Sequence, residues 1–234
     1  MKKKDVIILT GGEAPLKKIV ENIAGPIFFN SFIIAADSGL VTAREYNLTV
    51  DVLLGDFDSL AADADTSCVK SIKKFPSYKD FTDTELAVME AAEKSSENII
   101  LIGGNGGRFD HLLSIRSLYE RRMQIPYPHM WFCGSNLVLC LDSSKKAAVT
   151  ITGLGHNDYI SLFPLFLYGL EPDLISQGLQ WDVSNLSWST CGGSVSNKAK
   201  KTDSGTESVS LSVSCGRFLV ILPLYEESSF KVFL

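Results

Sequence analysis

Short apolar runs in the first half of the chain stop at glycines or aspartates, and helical patterns stand between them. DVIILT (5–10) ends at Gly11 and Gly12, ahead of the helical spacing of APLKKIVENIA (14–24). SFIIAA (31–36) ends at Asp37, with a helix expected from about Gly39 to Tyr46. DVLL (51–54) runs into GDFDS (55–59), and NIILIG (98–103) into GGNGGRFDH (103–111). ELAVMEAAEK (85–94) and HLLSIRSLYERRM (111–123) are helix formers, and SIKKF (71–75) and PHMWFC (128–133) read as further strands. Strands that alternate with helices are joined by crossovers, which makes them parallel and covers both sheet faces. The first half is therefore expected to be an α/β domain with a mostly parallel, Rossmann-like sheet.

The pattern changes after about Gly134. NLVLCLD, KAAVTIT, YISLF, SVSLSVS and RFLVILP are short β segments separated by turn residues, and helical spacing nearly vanishes. An all-β sandwich, jelly-roll-like, is expected here. The predicted domains are 1–134 and 135–234, with a hairpin around LysThrAspSerGly (201–205).

The chain has 234 residues, 45% of them hydrophobic and 21% charged, enough for a core in each of two domains. A net charge of −5 argues against nucleic-acid binding by counterion release. The five cysteines form no CxxC pair and are odd in number, which suits free thiols in a reducing compartment. MKKK has the charge of a signal n-region, but DVIILTGG stops too soon for a signal core. YISLFPLFLYGL (159–170) is too short to span a bilayer. A cytoplasmic protein with no membrane partner is expected.

Three motifs pair carboxylates with glycines or a cation. In GDFDS an extended chain puts Asp56 and Asp58 on one face and turns Phe57 into the core. Their place after a parallel strand is the edge where open α/β sheets bind ligands. Two such carboxylates suit Mg²⁺, which binds through one or two carboxylates and substrate phosphates; an Asx turn closing a strand is the competing reading. Asp37 follows the second strand and alone reads as a helix N-cap, but beside GDFDS a shared site becomes the better account. KDFTDTE (79–85) holds a capping box, Thr82 with Glu85. Asp83 then either favours the helix dipole or joins the metal, and Lys79 or Asp80 faces the nucleotide.

GGNGGRFDH lies between a strand and a helix. Its glycines, among them Gly106 and Gly107, let backbone N–H groups approach an anion at a helix N-terminus. It lacks the lysine of a P-loop and the Rossmann spacing. Arg108 offers a planar fork for phosphate, Asp110 holds Arg108 or binds metal, and His111 donates to phosphate or serves as a cap or core histidine. GGEAP (11–15) is a second glycine-rich turn of lower specificity. In the second half Trp181 is a core tryptophan or a stacking platform for a flat heterocycle. Ser196 and Asn197 are turn formers or ligand-orienting groups.

AADSG (35–39), GDFDS, KDFTDTELA and GGNGGRFDH, in this order, resemble the thiamin pyrophosphokinase family; the later GLQWDV (178–183) and SVSN (194–197) resemble its thiamin-binding domain. The resemblance covers nearly the whole chain and is stronger in the first half. It implies transfer of pyrophosphate from ATP to thiamin, giving thiamin diphosphate and AMP, with Mg²⁺, in a homodimer with sites between subunits. It implies Asp37, Asp56, Asp58 and Asp83 around metal and phosphates. Arg108 and Asp110 would lie near the nucleotide, and Trp181, Ser196 and Asn197 on thiamin. Two residues depart from the family's pattern: Ser38 stands where ADGG has glycine, and Phe81 where KDQTD has glutamine. The same carboxylates also suit a metal-dependent phosphohydrolase, and the same surfaces a non-catalytic nucleotide- or thiamin-sensing module.

Overall fold

The computed structural model describes residues 5–58, 64–78, 80–94, 98–120, 126–167, 169–203, 205–228 and 230–234. It divides into two compact units, Met1–Gly134 and Ser135–Leu234.

The first unit is built on six strands: β1 (Val6–Leu9), β2 (Phe32–Ala36), β3 (Val52–Gly55), β4 (Ile72–Lys74), β5 (Ile99–Ile102) and β6 (Met130–Cys133). Their order is β6-β5-β1-β2-β3-β4 and every pairing is parallel. β1, β3, β5 and β6 are buried at every residue, which is why they read as continuous apolar runs rather than alternating ones. β4 is the edge, exposed throughout and carrying Lys73 and Lys74, residues that discourage pairing with another chain. The direction of winding reverses between β1 and β5. That reversal opens a crevice beyond their carboxyl ends, the usual ligand position in such sheets.

Among the described residues five helices accompany the sheet: α1 (Lys17–Ala24), α2 (Pro26–Asn30), α3 (Gly39–Glu45), α4 (Asp83–Glu93) and α5 (Phe109–Leu118). α3 and α4 pack on β1 and β2. α1 is shorter than the apolar spacing suggests, and α2 is an addition: Gly25, at φ 58°, ends one helix and Pro26 starts the next. α4 begins at Asp83 with the predicted capping box in place. The Thr82 N–H donates to Glu85 Oε2 at 2.6 Å and the Glu85 N–H to Thr82 Oγ1 at 3.2 Å.

Among its described residues the second unit is all-β apart from one turn of helix, α6 (Trp188–Cys191). Its strands are β7 (Asn136–Asp142), β8 (Ala148–Thr152), β9 (Ile160–Leu165), β10 (Asp173–Gln177), β11 (Ser194–Asn197), β12 (Lys201–Thr202), β13 (Gly205–Thr206), β14 (Val209–Cys215), β15 (Arg217–Pro223) and β16 (Lys231–Phe233). They form antiparallel ladders in the orders β11-β9-β15-β7 and β10-β14-β8-β16, and β7 of the first lies against β8 and β14 of the second. β12 and β13 form the hairpin expected near 201–205. β14 alternates buried Val209, Leu211 and Val213 with polar residues, the mark of a sheet with one solvated face. Pro164 is tolerated inside β9 because β11 reaches only as far as Leu162, where the ladder on that side has ended.

No helix among the described residues is long and apolar enough to cross a membrane. Gly39 opens α3 directly against β1: a Cβ there would lie 2.1 Å from the Leu9 carbonyl oxygen and 2.9 Å from the Thr10 nitrogen. Gly39→Ala is therefore expected to destabilise the unit by about 1–3 kcal/mol through overpacking against backbone. Gly107, whose Cβ would meet nothing within 4 Å, should accept alanine at a stability cost below about 0.5 kcal/mol. Urea unfolding of both variants checks the contrast.

Candidate active site

Strand ends assemble the acidic cluster. Asp37 follows β2, and its N–H donates to the Leu54 carbonyl of β3 at 2.8 Å. Gly55 then approaches so closely that a Cβ on it would lie 3.2 Å from the Cβ of Asp37. Asp56 and Asp58 follow at once. Carboxylate oxygens of Asp37, Asp56 and Asp58 all lie within 4.8 Å of one another, with Asp37 buried, Asp56 half-buried and Asp58 exposed.

The route by which Asp56 and Asp58 meet differs from the expected one. β3 ends at Gly55, and Phe57 takes φ 65° and stays half-buried rather than entering the core. The Asp58 N–H reaches Asp56 Oδ1 at 3.3 Å. A left-handed turn with an Asx contact, not the alternation of a strand, brings the two carboxylates together.

Asp37 also lines a cleft of about 260 Å³ at the crevice between β1 and β5. Thr10, Gly11 and Gly12 border it from the end of β1, and Gly104, Asn105, Gly107 and Arg108 from the loop after β5. Thr82, Asp83 and Thr84 come from the start of α4; His111, Ser114 and Ile115 come from α5. The buried Thr10 and Thr84 hydroxyls are 2.7 Å apart and tie the end of β1 to α4. Among the described residues, the backbone N–H groups of Gly11, Gly12, Gly106 and Gly107 donate to no backbone carbonyl. They form a set of donors beside the N-terminus of α5, an arrangement suited to an anion.

The sequence-predicted residues fall into groups. Asp37, Thr82, Asp83, Gly107, Arg108 and His111 line the cleft. Asp56 and Asp58 join it through Asp37. Asp83 lies on the α4 side, outside the three-carboxylate cluster. Gly106 turns the loop at φ 75° without lining the cleft, and Asp80 is exposed outside it. Lys79 lies outside the described residues. Asp110 pairs with Arg108 through two contacts, Nε–Oδ1 at 3.2 Å and Nη2–Oδ2 at 2.5 Å. Hydrogen bonding within this exposed pair holds the Arg108 guanidinium above and the Asp110 carboxyl below their usual ranges. Sequence reading passed over Thr10, Thr84, Asn105 and Ser114. Thr10 directly follows β1 and Thr84 stands in the first turn of α4, whereas Asn105 and Ser114 carry no local signal.

In the second unit Leu179 and Ala199 form a buried bridge, and an open recess of about 520 Å³ is lined by Gln180, Trp181, Lys198, Lys200 and Lys201. Trp181 is 56% exposed, so it is not a core tryptophan. Asn197 is 1% exposed and spends its amide on backbone. Its Oδ1 accepts from the N–H groups of Trp181 at 3.2 Å and Lys198 at 2.9 Å, and its Nδ2 donates to the Trp181 carbonyl at 2.7 Å. Ser196 is exposed at φ 57°, where β11 slips register on β9. On the other side of Trp181, the hydroxyls of Ser184 and Ser176 and the Ser184 N–H hold the Asp182 carboxyl down to about 2. Trp181 thus stands exposed, with Asn197 holding its backbone and Asp182 fixing the chain that follows it.

Residues 28–126 match the family described as thiamin pyrophosphokinase, catalytic domain. The chain is 31% identical over 174 residues to the thiamine pyrophosphokinase of Bacillus subtilis (strain 168), covering 73% of this chain and 69% of that one. It is 25% identical over 189 residues to thiamin pyrophosphokinase 1 of Caenorhabditis elegans, covering 77% and 74%. Its fold matches the crystal structure of a thiamin pyrophosphokinase family protein from Enterococcus faecalis with a TM-score of 0.71 at 21% identity, over 95% of this chain and 100% of that one.

Removing the Asn197 amide takes away the partners it gives the Trp181 N–H and carbonyl, both partly buried contacts. Asn197→Ala is expected to cost about 1–3 kcal/mol and to speed amide exchange at Trp181 and Lys198 before the rest of the second unit opens. Hydrogen exchange read by mass spectrometry, alongside urea unfolding, checks both; unchanged exchange at these two amides would refute the locking role.

Proposed function

The chain belongs to the thiamin pyrophosphokinase family, and from that premise we propose that it transfers pyrophosphate from ATP to thiamin, giving thiamin diphosphate and AMP. One observation carries this reading on the protein's own geometry. Asp37 belongs at once to a three-carboxylate cluster and to a glycine-rich cleft at the point where the strand order reverses. A cation site and an anion site that share a residue suit a ligand made of both, a metal-bound triphosphate.

The donor set fits Mg²⁺. The cluster offers hard carboxylate oxygens, and their spread of up to 4.8 Å is close to the separation of about 4.2 Å between opposed ligands in an octahedral site with bonds near 2.1 Å. Asp37, Asp56 and Asp58 would hold the ion, with Asp83 completing the acidic set from α4. When bound, Mg²⁺ neutralises charge on the polyphosphate.

The chain's own groups do the remaining positioning, which is most of what phosphoryl-type transfer asks of a protein. The Gly11, Gly12 and Gly107 amides and Arg108 take the phosphate oxygens, and His111 lies within the same lining. Residues 1–134 are the ATP- and metal-binding domain. Residues 135–234 bind thiamin, whose cationic ring would stack on the exposed Trp181 indole beside Ser196, with Asn197 holding that indole in place. The thiamin hydroxyl oxygen attacks the β-phosphorus in line. The bond from that phosphorus to the bridging oxygen of the α-phosphate breaks, AMP leaves, and a cleft carboxylate accepts the hydroxyl proton. The active form is a homodimer, with the sites between subunits. The protein works in the cytoplasm, consistent with five free cysteines.

Protein mixed with ATP, Mg²⁺ and thiamin should yield AMP and thiamin diphosphate in equal amounts. Phosphate release that needs no thiamin would identify a hydrolase instead, and binding without AMP a sensing module. Asp58→Asn should keep the wild-type circular dichroism and melting temperature while turnover drops about 10²–10³-fold, the scale seen when one electrostatic stabiliser is lost. Near-normal AMP release by that variant at saturating Mg²⁺ removes Asp58 from the mechanism.

A further inference from the structure

Glu13 presents a puzzle for an anion site. It is a carboxylate in the glycine-rich turn after β1, next to Gly12, which lines the cleft, yet Glu13 itself is not part of the lining. Its contacts are with the loop after β5, 92 residues along the chain, and its partner there, Asn105, does line the cleft. The Glu13 N–H donates to the Asn105 carbonyl at 2.8 Å, and Asn105 Nδ2 donates to Glu13 Oε2 at 3.0 Å. The Glu13 carbonyl accepts from the Gly134 N–H at 3.2 Å, and nearby the Gly104 N–H donates to the Gly11 carbonyl at 2.7 Å.

The surrounding glycines are fitted to this clasp. A Cβ on Gly12 would lie 2.2 Å from the Asn105 carbonyl oxygen, one on Gly106 would lie 2.5 Å from Glu13 Cγ, and one on Gly134 would lie 2.4 Å from Asn105 Nδ2. Two separate loops are therefore held at backbone contact, and the N–H groups they leave over, among the described residues, include those of Gly11 and Gly12 on one side and Gly107 on the other. Each loop alone has several glycines and a wide choice of conformations. Fixing them against each other before ligand arrives removes an ordering cost that binding would otherwise carry.

We infer that Glu13 is a positioning residue for the triphosphate site: with Asn105 it clasps the loop after β1 to the loop after β5 and so aims both sets of amides at one anion. This rests on reading the cleft as the nucleotide site. The role needs an acceptor oxygen at Glu13, not its charge, because the clasp contact is the Asn105 amide donating to that oxygen. Gln retains such an acceptor; Ala does not.

The test is calorimetric binding of ATP with Mg²⁺, together with steady-state kinetics, on Glu13→Ala, Glu13→Gln, Asn105→Ala and the Glu13→Ala/Asn105→Ala pair. Glu13→Ala is expected to raise the Kd and KM for ATP at least tenfold, with kcat and the KM for thiamin within threefold of wild type. Glu13→Gln should remain within threefold throughout, and the pair should be no worse than the more damaging single change. Wild-type ATP affinity in Glu13→Ala overturns the inference. So does a Glu13→Gln variant as impaired as Glu13→Ala, or a large fall in kcat alone, which would make Glu13 a catalytic group. If the wild-type protein does not bind ATP, the nucleotide reading fails, and the clasp is then judged by amide exchange alone. Gly104 and Gly134 should exchange at least tenfold faster in Glu13→Ala and at the wild-type rate in Glu13→Gln, and equal rates in all three proteins would refute the clasp.

Discussion

Three carboxylates held within 4.8 Å of one another repel, so something other than their mutual interaction must keep them together. The parallel pairing of β2 with β3 does this. Ala36 stands opposite Leu54, the Asp37 N–H bonds to the Leu54 carbonyl, and the bare Cα of Gly55 lets the chain close on Asp37. Both strands are almost wholly buried, so close packing on both faces of the sheet, rather than apolar–polar alternation, holds them in register. Asp37 at φ 46° and Phe57 at φ 65° both sit in the left-handed region. Aspartate visits it more readily than an aromatic residue, for which it costs of order 1–3 kcal/mol. The strain at Phe57 persists because the rigid strand before it and the acidic turn around it fix the backbone on both sides.

Across the cleft the electrostatics reverse. There the lining consists of backbone N–H groups, Arg108 and the starts of α4 and α5, whose dipoles place positive partial charge at the crevice. The Thr10–Thr84 contact and the Thr82–Glu85 capping box fix α4 so that Asp83 lies in this same lining. The negative cluster and the positive loops meet at the ends of β1 and β2, neighbouring strands on one side of the reversal in strand order. Neither half depends on the chain's net charge. The distribution arises because each strand of a parallel sheet delivers its next residue to the same edge.

That rule also explains why much of the site is legible in the residues alone. Asp37, Asp56, Asp58 and the 103–108 glycine loop each follow an apolar run directly, and the capping box is a four-residue pattern, so local grammar sufficed. The Phe57 orientation failed because an Asx contact competed with strand geometry and won. α2 was missed because it is five residues long and is announced only by Gly25 and Pro26. Glu13 and Asn105 carry no local mark, since their partnership spans 92 residues. Asn197 is polar in a Ser- and Gly-rich stretch and reads as surface; its burial follows from the pairing of 178–180 with 198–200, a tertiary fact.

The two departures from the family's pattern differ in physical kind. Ser38 adopts φ −62° and ψ −5°, a conformation open to any L-residue, so its backbone does not require the glycine it replaces. Its Oγ instead occupies the space a side chain at Gly11 would need, at 2.2 Å from an ideal Cβ there. A side chain at 11 would therefore force the Ser38 hydroxyl into another rotamer, and serine at 38 adds one more hydroxyl to the cleft lining. Phe81 is 39% exposed, outside the cleft lining and two residues before α4. A glutamine there would offer an amide on the approach to α4; phenylalanine offers an apolar face. The first exchange changes the polarity of the cleft itself, while the second changes only what surrounds it.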